Sequence, residues 1–252
     1  MSRLAVDPLP GLPEIAPGDD LAALLVAGVG ALGSPVAAGD VFAIAHKAVS
    51  KAEGRLRRLA DVDPTADARE LGAAHGKDPR HVQVVLDESA ELLRADGGRL
   101  ICRTRHGFVC ANAGVDASNA GAPGTLVLLP LDPDGSARRL RTALQAALGI
   151  TVAVVITDSF GRPWRIGQSE VAIGCAGLRP LQDWRGRVDA DGRDLTATHV
   201  AIADEAAAAA DLVRGKDSRE PAVRLRGLAA HVTDDDGPGA AALVRARAQD
   251  LF

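Results

Sequence analysis

Nine residues carry the densest chemistry in the chain: Thr157-Asp158-Ser159-Phe160-Gly161-Arg162-Pro163-Trp164-Arg165. They follow the apolar, mostly β-branched run 150–156, which predicts a buried strand. An acid and a hydroxyl are expected to emerge from the end of that strand, with Gly161 and Pro163 then bending the chain. A carboxylate beside a hydroxyl suits a hard cation such as Mg²⁺ or Mn²⁺. The arginines that follow suit phosphate or carboxylate oxygens. The same residues also read as a plain strand ending in a Ser/Gly/Pro turn with solvated charges.

A second acidic stretch runs over 105–119 and collects Asn112, Asp116, Ser118 and Asn119 behind the apolar run 108–111. Such a density of oxygen ligands can hold a cation or a nucleotide. It can equally be a surface loop of Asx turns, in which Asn and Asp bond their own backbone. Taken together, the two stretches predict two acid-bearing loops converging at one sheet edge. Carboxylates brought that close repel unless a cation or proton lies between them, and Mg²⁺ in that place would also bridge phosphate oxygens.

A third element is His46-Lys47-Ala48-Val49-Ser50-Lys51-Ala52-Glu53-Gly54. If it is helical, Lys47 and Lys51 share a face, and Lys51 with Ser50 could reach phosphate. An ordinary solvated helix surface is the other reading. Gly215-Lys216-Asp217 lacks the spaced glycine and the Ser/Thr of a Walker A loop, so a nucleotide site must be built another way. His106 abuts the acidic stretch and is a candidate. The other histidines have no metal-binding spacing.

The elements that must position these groups are mixed in kind. At 252 residues and 47% hydrophobic, the chain can bury a substantial core. With 2% aromatics and no tyrosine, that core must be built from Ala, Val, Leu and Ile. A net charge of −4, with no basic block or aromatic platform, argues against nucleic-acid binding. Cys102, Cys110 and Cys175 form no Cys-x-x-Cys pair, which argues against a disulfide framework or a structural zinc and fits a reducing cytoplasm. Residues 21–39 are uncharged but broken by Gly33-Ser34-Pro35 and lack a basic flank, so they read as a buried helix and not a signal or span.

Along the chain, Asp19 or Asp20 is expected to cap the helix that follows. Strands are expected at 41–45, 99–103, 107–111, 125–130, 150–156, 170–177 and 221–228. Helices are expected at 66–74, from Asp78-Pro79 to about Arg94, from Asp132-Pro133 to about Leu148, and over 198–213. Strands and helices mix without regular alternation, which indicates an α+β or mixed α/β fold. A single domain over 1–252 is expected, with a weak internal boundary near 183–194.

Four stretches then fit together in order: Gly11-Leu12-Pro13-Glu14-Ile15, the run from Lys47 to Gly54, the run from Arg103 to Asp116, and the nine residues from Thr157 to Arg165. From Gly11 to about Leu228, the chain closely resembles the coenzyme F420-0:L-glutamate (γ-glutamyl) ligases. The resemblance implies a fold of mixed sheets, intertwined in a homodimer. It implies a GTP-dependent ligase that joins coenzyme F420-0 to L-glutamate through an acyl phosphate, with γ-linked additions following. It also implies two divalent-metal sites for Mg²⁺ or Mn²⁺, and assistance by K⁺.

Carried over by that resemblance, Asp116 and Asp158 would be the catalytic carboxylates holding a first metal, and Ser159 would contribute to a second. Lys51 and Asn119 would contact GTP, and Leu12, Pro13, Glu14 and Ile15 would line its pocket through backbone groups. Arg214-Gly215-Lys216 would be a loop touching the nucleotide or the second metal. His46 stands where many relatives have Ser, and Lys216 where some have Gln. A protonated lysine cannot ligate metal, so Lys216 would face phosphate. Some relatives carry a fused C-terminal reductase-like domain, which is not expected here. Two further classes use the same residues: a metal-dependent phosphatase or nucleotide hydrolase, and a non-catalytic nucleotide- or deazaflavin-binding module.

Overall fold

The computed structural model describes residues 3–249. β1 (Ala5–Pro8) leads through a Pro/Gly-rich segment to α1 (Leu21–Gly30), whose first turn is capped by the Asp20 carboxylate accepting from the Ala23 amide. β2 (Val41–Ala45) passes without a loop into α2 (His46–Ala52), because the still-extended Ala45 is itself the cap. The helix therefore presents its first side chains at the end of a buried strand. β3 (Leu56–Arg58), α3 (Ala66–His75), α4 (Pro79–Glu88), β4 (Ser89–Asp96), β5 (Arg99–Thr104), β6 (Val109–Ala111) and β7 (Thr125–Val127) follow. α5 (Pro133–Leu148) has Asp132 as cap, proline in its first turn and Gly149 in the left-handed region at its end. The chain continues through β8 (Ala153–Arg162), β9 (Arg165–Ala176), β10 (Gln182–Asp183), β11 (His199–Val200), α6 (Ile202–Asp211) and β12 (Ala222–Arg226).

The central sheet has the order β1-β12-β2-β8-β9, with β2 and β8 parallel and the other pairs antiparallel. Strand alternation divides its side chains between two cores. Phe42, Ile44, Val154 and Ile156 face Leu25, Val49, Leu140 and Leu144 of α1, α2 and α5. Val41, Ala43, Val155 and Cys175 face Ala203, Ala206 and Ala210 of α6, whose small side chains allow close approach. The antiparallel sheet β4-β5-β6 packs with α3 and α4 around Val82, Val85, Leu100 and Cys102. This mixed α and β architecture agrees with the expected fold class, and the three cysteines are buried and free, as core residues. No helix among the described residues is long and apolar enough to cross a membrane.

Two expectations are corrected. The helix expected to reach Arg94 stops at Glu88. Ser89 takes an extended conformation while its hydroxyl donates to the Val85 carbonyl, and the following residues pair with β5 through two register shifts. Cross-strand pairing overrides the apolar spacing of Leu92 and Leu93 there, and both remain partly exposed. The second correction concerns Asp158 and Ser159, which lie inside a strand and not in a loop at its end. β8 continues to Arg162 and forms a long hairpin with β9, with a register shift at Ile156/Thr157.

Candidate functional site

The parallel pair β2–β8 brings Ala45 level with Thr157, so α2 begins beside Asp158. Two consecutive residues of α2 then reach two distant acids. His46 Nε2 lies 3.3 Å from Asp158 Oδ1. Lys47 Nζ lies 2.6 Å from Asp116 Oδ2 and 2.7 Å from the Ser118 hydroxyl. Both aspartates thus contact the start of α2, and not the sheet edge expected of two acid-bearing loops.

Asp116 is fixed by its own backbone. Its amide and carbonyl both pair with Val127, and its carboxylate accepts from the Ser118 amide at 2.7 Å and the Ser118 hydroxyl at 2.9 Å. The turn before it is left-handed at Asn112, Ala113 and Gly114, a conformation that costs a non-glycine residue energy. Burial opposes ionisation of Asp116, but hydrogen bonds from Lys47 and Ser118 and the charge on Lys47 outweigh it, and the carboxyl sits below its ordinary range. Asp158 Oδ1 accepts from the Ser159 amide at 2.8 Å.

Strand alternation sends Ser159 to the opposite face from Asp158. There Ser159 sits across the ladder from Glu170, and its hydroxyl donates to Glu170 Oε1 at 2.5 Å. Glu170 is 4% exposed. Its other oxygen accepts from Arg214 Nη2 at 2.8 Å, and the same guanidinium nitrogen donates to the Thr157 hydroxyl at 2.9 Å. Lys216 Nζ completes the group, 2.7 Å from Ser159 Oγ and 3.2 Å from Glu170 Oε1. Burial would raise the pKa of Glu170, but the charge on Arg214, hydrogen bonds from Ser159 and Thr157, and the charge on Lys216 lower it overall. Asn119 Nδ2 approaches the Lys216 carbonyl at 3.4 Å, so the Asp116 stretch spans from the α2 side to this second cluster.

The remaining predicted residues fall around this centre. Leu12 packs near Gly28, Ile15 is buried, and Pro13 is exposed. Glu14 forms an ion pair with Lys51, which ties the segment 12–15 to α2. Gly215 sits in the turn beside Lys216, where an added Cβ would come 3.1 Å from Asp217 Oδ1. Ser50 is fully buried and its hydroxyl lies 3.3 Å from His46 Nδ1, so it steadies the imidazole and does not reach out toward phosphate. His106 holds the carbonyls of Pro130 and Leu131 at 2.9 and 3.2 Å and stacks on Phe108, which makes it a tie between the β5–β6 turn and the segment after β7.

Sequence reasoning missed Glu170 and gave Arg214 no charge partner. Glu170 opens an apolar run, and the one available signal was a carboxylate at the head of a buried strand. The carboxylates of Asp116 and Asp158 and the Ser118 hydroxyl are oxygen ligands of the kind a hard divalent cation takes, with Lys47 and His46 against the two carboxylates. The nearby Cys110 thiol is pushed up to about 12, by burial first and then by the charge on Asp158, so no thiolate competes. Among the described residues, no three His, Cys, Asp or Glu side chains converge on one point. Further ligands would come from hydroxyls, water or phosphate.

The family model for F420-0:gamma-glutamyl ligase matches residues 11–227. The coenzyme F420:L-glutamate ligase of Methanopyrus kandleri is 45% identical, over 100% of this chain and 98% of its own. That of Methanothermobacter thermautotrophicus is 44% identical over 96% of both chains. A third, from Archaeoglobus fulgidus, is 45% identical over 90% of this chain and 88% of its own.

Proposed function

Since this chain belongs to the F420-0:gamma-glutamyl ligase family, we propose that it joins L-glutamate to coenzyme F420-0 in an amide bond, at the expense of GTP. The observation that carries the proposal is the gathering of Asp116 and Asp158 on Lys47 and His46 at the start of α2. A carboxylate is a poor electrophile. Transfer of the γ-phosphoryl group from GTP to the acceptor carboxylate converts it to an acyl phosphate and releases GDP. The glutamate amine then attacks that carbonyl carbon, phosphate leaves, and the amine gives up a proton.

In this reading the protein positions charged reactants and neutralises charge as it develops. Asp116 and Asp158 would hold Mg²⁺ or Mn²⁺; bound there, such an ion would neutralise phosphate charge. The Ser159 hydroxyl, expected to serve a second ion, is engaged by Glu170 and by the Lys216 ammonium, which therefore does not face phosphate. Lys47 stands beside Asp116 and would face the phosphates. Lys51, held to Glu14, would set the wall of the nucleotide pocket formed by residues 12–15. Asn119 bridges the two clusters and would meet the nucleotide from the side of Lys216. Arg165 lies exposed near the tip of the β8–β9 hairpin, available to an anionic acceptor, while the exposed Arg162 donates to the Ile166 carbonyl.

Ile166 and Trp164 at that tip are 100% and 82% exposed, which supports association of two copies. Light scattering should give a dimer mass, and a monomer at working concentration would count against that part of the reading. The enzymatic reading is tested by mass spectrometry of the acceptor after incubation with GTP, Mg²⁺ or Mn²⁺, and glutamate. Wild type should yield GDP and glutamylated product. Asp116→Asn and Asp158→Asn should each lose roughly a hundredfold or more in rate. GTP turnover indifferent to glutamate and acceptor would point to a hydrolase instead.

A further inference from the structure

Lys216 Nζ is surrounded by three oxygens from three elements: Ser159 Oγ at 2.7 Å, Glu170 Oε1 at 3.2 Å and Asp211 Oδ1 at 3.3 Å. Ser159 comes from β8, Glu170 from β9, and Asp211 is the last residue of α6. Such a set of a hydroxyl and two carboxylates is what a hard cation takes as ligands. The position also lies at a helix C-terminus, where the peptide dipoles favour positive charge. Glu170 cannot leave, because it is 4% exposed and its second oxygen is held by the buried Arg214. The Lys216 side chain is 68% exposed and only its tip engages the oxygens. Its backbone is drawn toward the Asp116 stretch by Asn119.

The charges close with a single ammonium in place. Glu170 and Asp211 are matched by Arg214 and Lys216. Without the lysine, the cluster keeps one uncompensated negative charge and an oxygen set open to solvent on one side.

We propose that the Lys216 ammonium is a tethered monovalent cation: it occupies, in this chain, the place an alkali ion would take between Ser159, Glu170 and Asp211. The proposal rests on the ligase reading for its purpose, which is fixed positive charge beside the phosphate-bearing site without an ion drawn from solution. It does not rest on that reading for its chemistry. Removing the ammonium while leaving the oxygens should create an alkali-ion site where wild type has none.

The experiment compares wild type, Lys216→Ala and the double variant Asp211→Asn/Lys216→Ala, titrated with Tl⁺ as a K⁺ surrogate and followed by thallium NMR. Melting curves in K⁺ and in tetramethylammonium at equal ionic strength accompany the titration. Lys216→Ala should bind one Tl⁺ per chain that wild type does not, and should melt higher in K⁺ than in tetramethylammonium. Wild type should not distinguish the two salts, and the double variant should lose the gain. A Lys216→Ala protein that binds no additional Tl⁺ overturns the proposal, as does a gain that survives in the double variant. Ligase turnover is a separate arm, in which K⁺ should restore activity to Lys216→Ala. Absence of turnover in wild type would sink the ligase reading and leave the Tl⁺ result to decide this one.

Discussion

Ser159 and Glu170 sit directly opposite each other in the β8–β9 hairpin, and the serine hydroxyl donates to the glutamate at 2.5 Å. One residue earlier, Asp158 points to the other face, toward His46. The hairpin therefore carries two separate polar centres on its two sides, and Thr157 to Ser159 serves both.

The Glu170–Arg214 pair is the first place to test. Both side chains are under a tenth exposed, and removal of one charge would leave the other buried without compensation. Glu170→Gln should lower unfolding free energy by about 3–5 kcal/mol, the usual cost of breaking a buried pair. Urea denaturation checks this. A loss under 1 kcal/mol, on the scale of a surface pair, would show that the pair is solvated in solution.

Acid stability should follow the same residue. Glu170 has a folded pKa below the ordinary glutamate value of 4.5. A carboxyl lowered on folding stabilises the protein above its unfolded pKa, and that contribution fades as pH falls through the folded value. Asp116 is lowered in the same direction from 3.8. Melting temperature should therefore fall on acidification below about pH 4.5, and Glu170→Gln should flatten the fall. Parallel curves for variant and wild type would assign the acid limb elsewhere.

Lys47 competes for Asp116 with any cation that the carboxylate would hold. Lys47→Met should tighten Mn²⁺ binding in the absence of nucleotide by roughly tenfold, within the range seen when groups around metal ligands are changed. The KM for GTP should rise at the same time. Electron paramagnetic resonance of Mn²⁺ reads the first effect, and unchanged or weaker Mn²⁺ binding would show that Lys47 does not hold the site closed.

Two glycines report on packing that supports the site. At Gly114, φ is +73° and an added Cβ would come within 2.7–2.9 Å of the Leu129 side chain. At Gly174 an added Cβ would meet the Pro133 carbonyl oxygen at 2.4 Å, where the start of α5 lies on β9. Each change to alanine should destabilise by about 1–3 kcal/mol through strain and overpacking. Thermal or urea melts measure it, and a neutral Gly174→Ala would mean that α5 can lift from the sheet.

Much of this was legible in the residues. The apolar runs at 41–45 and 150–156, a cap at Asp19 or Asp20, the helix starts at Asp78-Pro79 and Asp132-Pro133, and the acid-rich stretches around Asp116 and Asp158 follow from local rules: periodicity, capping chemistry and clustered oxygen donors. Those rules act over a few residues and leave a mark in the order of side chains. The end of α4 at Glu88 and the continuation of β8 past Asp158 left no such mark, because each is decided by a partner strand distant in sequence. The same holds for the site. Asp116, Asp158, Lys51 and Asn119 could be named from the chain, but their partners could not, and Lys47 was passed over for Lys51. That Lys47 takes Asp116, that Ser159 turns away from Asp158 toward Glu170, and that Arg214 and Lys216 close on that glutamate are products of register and of parallel β2–β8 pairing. Sequence determined which groups are available for chemistry. Which of them meet is a long-range property of strand pairing, settled only when the sheet forms.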